Sequence, residues 1–247
     1  MIWNSTLPRR MALVIMFGGL LAAAAPARAA VVNGGFETGT VSGWTVVGSG
    51  HASDSTVGVF PTEGSYQGYI ETTGNFTALV PAVAASLGLT ASTILGLGAG
   101  TPTNGTGISQ VVTVNAGDTL TFDWNFLTDE LNESATFNDF GFFSIAGDAF
   151  LLASRNSSTY DTTSPPAGFD GQTGWASQSY TFATGGSYQI GFGVFNVDDS
   201  GHNSALLIDH VSLPVPEPST LLLAGLGSSS LLLWRRRHRK LAGPTGC

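Results

Sequence analysis

The sequence predicts an all-β protein, an antiparallel β-sandwich of jelly-roll type with one short helical insertion, flanked by two apolar terminal segments. Three observations predict it. Apolar and polar residues alternate with the period of a strand, most cleanly over Thr119–Phe126. There Leu120, Phe122, Trp124 and Phe126 face one way, and Thr119, Thr121, Asp123 and Asn125 the other. The runs are short and punctuated by turn signals such as Asn115-Ala116-Gly117-Asp118, Ala146-Gly147-Asp148 and Thr184-Gly185-Gly186. Finally, the span from Ala30 to Leu213 holds more than 180 residues, the length of one domain.

Taken in order, Asn33-Gly34-Gly35 is a turn, and strands are expected at Trp44–Ser49, Gln67–Glu71 and Ile108–Val114. Thr119–Phe126, Phe140–Ala146, Ala149–Ser154, Ser177–Phe182, Tyr188–Val194 and Ala205–Leu213 follow. About ten short strands with Gly, Asp and Ser turns are the signature of a sandwich. Pro81–Leu97 breaks the pattern: Val83, Leu87, Ile94 and Leu95 fit a short helix between strands. No strong internal repeat is visible.

Charge is sharply segregated. The whole chain carries −8, but among its nine basic residues only Arg155 lies between Ala30 and Leu213, against 16 of the 17 acids. A domain of net charge −15 repels nucleic acid and anionic lipid, which excludes a nucleic-acid function. Its acidity serves solubility outside the cell, or else some of the acids bind divalent cations. The single cysteine, Cys247, lies in the tail, so the domain has no disulfide, thiolate metal site or cysteine nucleophile.

Both ends read as export signals. Arg9 and Arg10, the apolar run Met11–Ala25 and Ala27-Arg28-Ala29 form the parts of a signal peptide over residues 1–29. Residues 214–247 open with Pro-Val-Pro-Glu-Pro-Ser-Thr, continue as an apolar run to Trp234 and close on Arg235, Arg236, Arg237, His238, Arg239 and Lys240. The prolines keep the start extended, and the basic cluster cannot cross a bilayer and stays on the cytoplasmic side. As a helix of about 15 residues the run spans roughly 22 Å, short against a hydrocarbon core of roughly 30 Å. This suits a temporary anchor better than a permanent one.

This three-part tail resembles the PEP-CTERM sorting signal, carried by Val215, Pro216, Glu217, Pro218 and Ser219, the run Thr220–Trp234 and the membrane stop Arg235, Arg236, Arg237, Arg239 and Lys240. The resemblance implies an exosortase as partner and transient anchoring in the inner membrane. Release to the cell surface or extracellular matrix of a Gram-negative bacterium follows. It also implies a non-catalytic role beside exopolysaccharide or biofilm. A carbohydrate-binding module for a defined glycan, or a glycoside-active enzyme, are the alternatives.

The domain's ends resemble the galactose-binding-like sandwich of many carbohydrate-binding modules. Asn33-Gly34-Gly35-Phe36-Glu37 with Gly43-Trp44 matches its opening, and Ala205–Leu213 its closing strand. In that fold the first and last strands are neighbours, and the resemblance implies a structural calcium ion held by Glu37 and Asp209. Asp209 interrupts an apolar strand, and a buried carboxylate costs several kcal/mol unless paired or coordinated. The alternative is that Asp209 accepts backbone hydrogen bonds at a sheet edge.

Other acids cluster at Asp129, Glu130, Asn132 and Glu133, and at Asp198 and Asp199. They read as solvated loops, second calcium loops or the two carboxylates of a glycosidase. There is no Gly-x-Ser-x-Gly elbow and no His pair at metalloprotease spacing, so no catalytic residue is assigned. Among the aromatics, Trp175 in a Gly/Pro-rich loop is the candidate glycan platform, with core packing as the alternative, and Trp124 is expected in the core.

Overall fold

The computed structural model describes residues 30–213 apart from 74–76, 98–99 and 158–159. The expected signal peptide over 1–29 and the tail over 214–247, with its sorting motif and basic cluster, lie outside the described residues. No helix among the described residues is long and apolar enough to cross a membrane.

The strands are β1 (Thr45–Val47), β2 (Ser49–Ser53), β3 (Gln67–Glu71), β4 (Ala78–Leu79), β5 (Pro102–Val114) and β6 (Thr119–Thr128). After them come β7 (Phe140–Ile145), β8 (Asp148–Ser154), β9 (Gly171–Gln172), β10 (Ala176–Thr181), β11 (Gly186–Val197) and β12 (Ser204–Ser212). They form two antiparallel sheets packed as a sandwich. The first has the order β1-β5-β11-β7-β8, with β4 beside β5; the second is β10-β6-β12-β3-β2, with β9 beside β6. The fold class expected from the alternation is the one found.

The alternation explains the core. Leu120, Phe122 and Phe126 of β6, Leu206 and Ile208 of β12 and Ile70 of β3 meet Ile108 and Val112 of β5 and Ile190, Phe192 and Val194 of β11 between the sheets. Phe122 packs edge-on against Phe192, their centroids 4.9 Å apart. Phe36 stacks on Trp44 at 5.6 Å, and the Trp44 indole donates to Asn33 O at 3.1 Å. The opening Asn-Gly-Gly-Phe…Gly-Trp pattern is therefore a plug for one end of the core. Ala146 (φ 55°) and Gly147 (φ 87°) form the two-residue hairpin turn between β7 and β8.

The helical insertion is two helices, α1 (Val80–Ser86) and α2 (Ala91–Leu95), rather than the single helix expected over Pro81–Leu97. Gly88 at φ 67° turns the chain, and Thr90 then caps α2 by accepting from the Thr93 amide at 3.2 Å. Both helices cover the outer face of the first sheet. Glycines make the approach feasible: a Cβ at Gly107 would lie 2.8 Å from Val83 Cγ1, and one at Gly191 2.5 Å from Leu87 Cδ2.

One expected adjacency takes a different form. The first strand, β1, pairs with β5 in the first sheet, while the last, β12, lies between β6 and β3 in the second. The segment ahead of β1 is what neighbours β12, through the Val211 amide donating to Gly34 O at 3.1 Å.

Candidate metal centre and sorting tail

Asp209 is fully buried, opposite Asp123 on β6. Its Oδ2 accepts from the Thr62 amide at 2.7 Å, the Thr62 hydroxyl at 2.9 Å and the Glu63 amide at 3.1 Å. Its Oδ1 accepts from the His210 amide at 2.7 Å. Burial pushes this carboxyl above the usual range, and these four donors oppose the shift. Glu37 reaches the same loop from the other side, accepting from the Ser65 and Tyr66 amides at 3.0 Å. Gly64 sits between, at φ 60°, where a Cβ would fall 2.1 Å from Glu37 Cδ.

The expected calcium ion between Glu37 and Asp209 does not fit this arrangement. Both carboxylates do converge, but on a stretch of backbone whose N–H groups occupy the oxygens that would face an ion. Asp209 is satisfied by backbone amides and the Thr62 hydroxyl, as the alternative supposed, but on an interior strand rather than at a sheet edge, because the donors come from the loop over the sheet.

A different acidic group meets the conditions for a cation. Glu130 follows β6, Asp139 precedes β7 and Asp199 follows β11, and one oxygen from each lies within 4.8 Å of the others. Glu130 and Asp139 are fully buried, and Asp199 is half-buried. Asp139 is partly satisfied: Oδ1 accepts from the Val197 amide at 2.8 Å, and the Asn196 amide, turned with its nitrogen inward, donates to Oδ2 at 2.9 Å. Neither oxygen of Glu130 has a donor, and neither does Asp199 Oδ1. Burial, then the charges of Asp139, Asp199 and Asp129, push Glu130 up to about 8. Burial pushes Asp139 up to about 7, opposed by the Ser204 hydroxyl and the Val197 amide.

Arg155 stands beside this centre without pairing to its carboxylates. Its Nε donates to Glu130 O at 3.1 Å, and Nη2 donates to Leu131 O at 3.1 Å and Glu133 O at 2.7 Å. The guanidinium orders the loop after β6 through carbonyls. Of the acids singled out in the sequence, Glu130 and Asp199 enter the centre. Asp129 instead accepts from the Asn203 amide at 2.6 Å, and Asp198 from the Thr101 amide at 3.0 Å. Asp139, the third member, was not singled out in the sequence. The signal for it was an acid at the mouth of the apolar strand Phe140–Ile145, in a domain with almost no cations to neutralise it.

Trp175 is half-buried. Its indole donates to Phe60 O at 2.9 Å, and its ring packs on the cluster of Val59, Tyr69, Leu127, Ala205 and Leu207. The packing alternative describes it better than the platform. An open cleft of about 170 Å³ lies elsewhere, between β8 and β10, and is lined by Trp124, Phe150, Leu151, Gln178 and Tyr180 among others. Trp124, expected in the core, is partly buried against it and also faces this cleft, and its indole Nε1 meets no acceptor.

Residues 214–237 match the PEP-CTERM protein-sorting motif. The tail is a PEP-CTERM sorting signal. That span contains the Pro-Glu-Pro group, the apolar run and the first three arginines of the basic cluster, in the order read from the sequence. No curated protein matches the chain. Solved structures of similar architecture include TmCBM61 in complex with β-1,4-galactotriose, 15% identical over 74% of this chain and 96% of that one, with a TM-score of 0.40. The K1 cleaved adhesin domain of Lys-gingipain from Porphyromonas gingivalis is 12% identical over 77% and 99%, with a TM-score of 0.40. The CBM22-1 xylan-binding domain from Paenibacillus barcinonensis is 14% identical over 77% and 96%, with a TM-score of 0.32.

Proposed function

We propose that this is an exported, non-catalytic protein of the Gram-negative cell surface or extracellular matrix, sorted by an exosortase and associated with exopolysaccharide or biofilm. The PEP-CTERM match over 214–237 carries the reading. Proline on either side of Glu217 disfavours a helix at the site a processing enzyme would read, and the basic cluster at 235–240 would keep the tail in the inner membrane meanwhile. Burial supports the non-catalytic part: a glycosidase must bring two carboxyls to either side of a glycosidic bond, and Glu130, with no exposed surface, is out of a polysaccharide's reach. Its neighbour Asp129 is partly exposed but has Oδ1 engaged by the Asn203 amide.

Mass spectrometry of the mature protein tests the reading. We expect an N-terminus near Ala30 and loss of the basic cluster. A mature protein that still ends in Arg235–Cys247 would refute sorting by cleavage.

The cleft between β8 and β10 favours a second reading, recognition of a defined glycan. Phe150 and Leu151 are about half exposed there, beside Tyr180 and Trp124, and an aromatic ring next to a polar amide such as Gln178 can stack on a sugar. A glycan array followed by titration of Phe150→Ala and Tyr180→Ala examines this. Specific binding lost in these variants supports the cleft; binding lost only in Trp175→Ala places the platform on Trp175 instead.

A further inference from the structure

The trio at the sheet ends poses a problem that the rest of the molecule leaves open. Three carboxylates share a space in which their oxygens lie within 4.8 Å. Glu130 has no exposed surface, and both its oxygens lack any donor. A buried, unpaired carboxylate is among the most unfavourable groups a protein can hold, and two further acids beside it compound the penalty. The only Arg or Lys of the domain is turned to carbonyl oxygens. What is missing is a positive charge that accepts oxygen ligands.

We propose that Glu130, Asp139 and Asp199 bind one divalent cation, calcium by its chemistry, which pins the end of β6 in the second sheet to β7 and β11 in the first. All three side chains are hard oxygen donors, which excludes thiolate-seeking metals and disfavours those that prefer imidazole. Hydration then chooses among the hard cations. Oxygens that all lie within 4.8 Å of one another can share one ion. Calcium accepts six to eight oxygens in flexible geometry, whereas magnesium retains most of its water, for which this buried space is ill suited.

The raised carboxyls of Glu130 and Asp139 are consistent with the proposal, because they register the same missing charge. The site is separate from the Glu37–Asp209 loop and independent of how the protein is sorted. It draws its ligands from the ends of three strands distributed over both sheets, so an ion there binds the folded state alone and stabilises it in proportion to its occupancy.

The test uses the full chain, purified in detergent, stripped with chelator and titrated with calcium chloride, with magnesium chloride in parallel. We expect one calcium ion per chain and a thermal midpoint raised by about 5 to 11 °C at a free calcium about a hundredfold above Kd. Magnesium should reproduce little of this. Glu130→Gln should abolish the calcium response yet melt close to the wild type in chelator, because the amide is neutral and nearly the same size as the protonated acid that burial favours there. Asp199→Asn, at the half-buried position, should weaken calcium binding at least tenfold and guards against a Glu130 variant that fails to fold. A wild-type chain that neither binds calcium nor shifts its midpoint overturns the proposal, and so does binding that persists unchanged in both variants. The first outcome would mean that Glu130 is held as the neutral acid.

Discussion

Glu37 and Asp209, at opposite ends of the domain, hold the same loop by its backbone. Glu37 takes the amides of Ser65 and Tyr66, and Asp209 those of Thr62 and Glu63. Asp209→Asn replaces one oxygen with an amide group that faces donors. It should destabilise the fold by about 2 to 4 kcal/mol, since hydrogen bonds to a charged, buried acceptor are lost and donors are left unpaired. Glu37 is exposed, and Glu37→Gln should lower stability by only about 0.5 to 1.5 kcal/mol. Denaturant unfolding of both variants measures this. The calcium response should survive in each, because the donors rather than an ion satisfy these two acids.

The seating of the helical insertion depends on absent side chains. In Gly191→Ala the new Cβ meets Leu87 Cδ2 at 2.5 Å and the Ile108 carbonyl oxygen at 2.9 Å. The Leu87 tip can turn away, but the carbonyl belongs to β5, so the β5–β11 ladder must shift beside Gly191. The expected loss is about 1 to 3 kcal/mol. Hydrogen exchange should show faster opening of β5 and β11 around Ile108 and Gly191, and of Val80–Ser86 above them, while β6 and β12 stay protected.

Arg155 organises the loop after β6 through a fork that lysine cannot copy. Arg155→Lys gives up contacts to the carbonyls of Leu131 and Glu133 and should lower stability by about 1 to 3 kcal/mol. Limited proteolysis should then cut faster than in the wild type within residues 130–137, a largely exposed loop. Cleavage at equal rates in both proteins would contradict this role.

If an exosortase reads the tail, Glu217→Ala within Pro216-Glu217-Pro218 should leave the precursor in the membrane fraction. Immunoblots of membrane and released fractions would show the shift. Unchanged release would remove the Pro-Glu-Pro group from the recognition step.

The sheets were legible because their faces differ chemically. Gln67–Glu71 was placed to the residue, and Thr119–Phe126 was short by only two residues at its end. The two-residue strands β4 and β9 leave no period to detect. A single helix was expected where Gly88 and Thr90 make two, since the apolar spacing runs on through the break while the backbone does not. The candidate site was half legible. Glu130 and Asp199 stood out as acids near strand ends, but Asp139 belongs with them only because β7 lies beside β11 in the first sheet. That pairing is a property of the fold and is absent from any local window of sequence. Conversely, Glu37 and Asp209 each accept from one loop, 62–66, whose sequence advertises nothing but a turn.

The tail leaves the domain at Leu213, one residue beyond β12, and β12 is an interior strand with β6 on one side and β3 on the other. Tension on the tail therefore runs along the strand axis, across hydrogen bonds that lie at right angles to it. A pull in that direction would load β12 in shear, with Ala205–Ile208 held by β3 and β6 at once and the stretch nearest the tail by β6 alone. Under the proposed anchoring, drag on the domain would be opposed by many hydrogen bonds together rather than by one at a time.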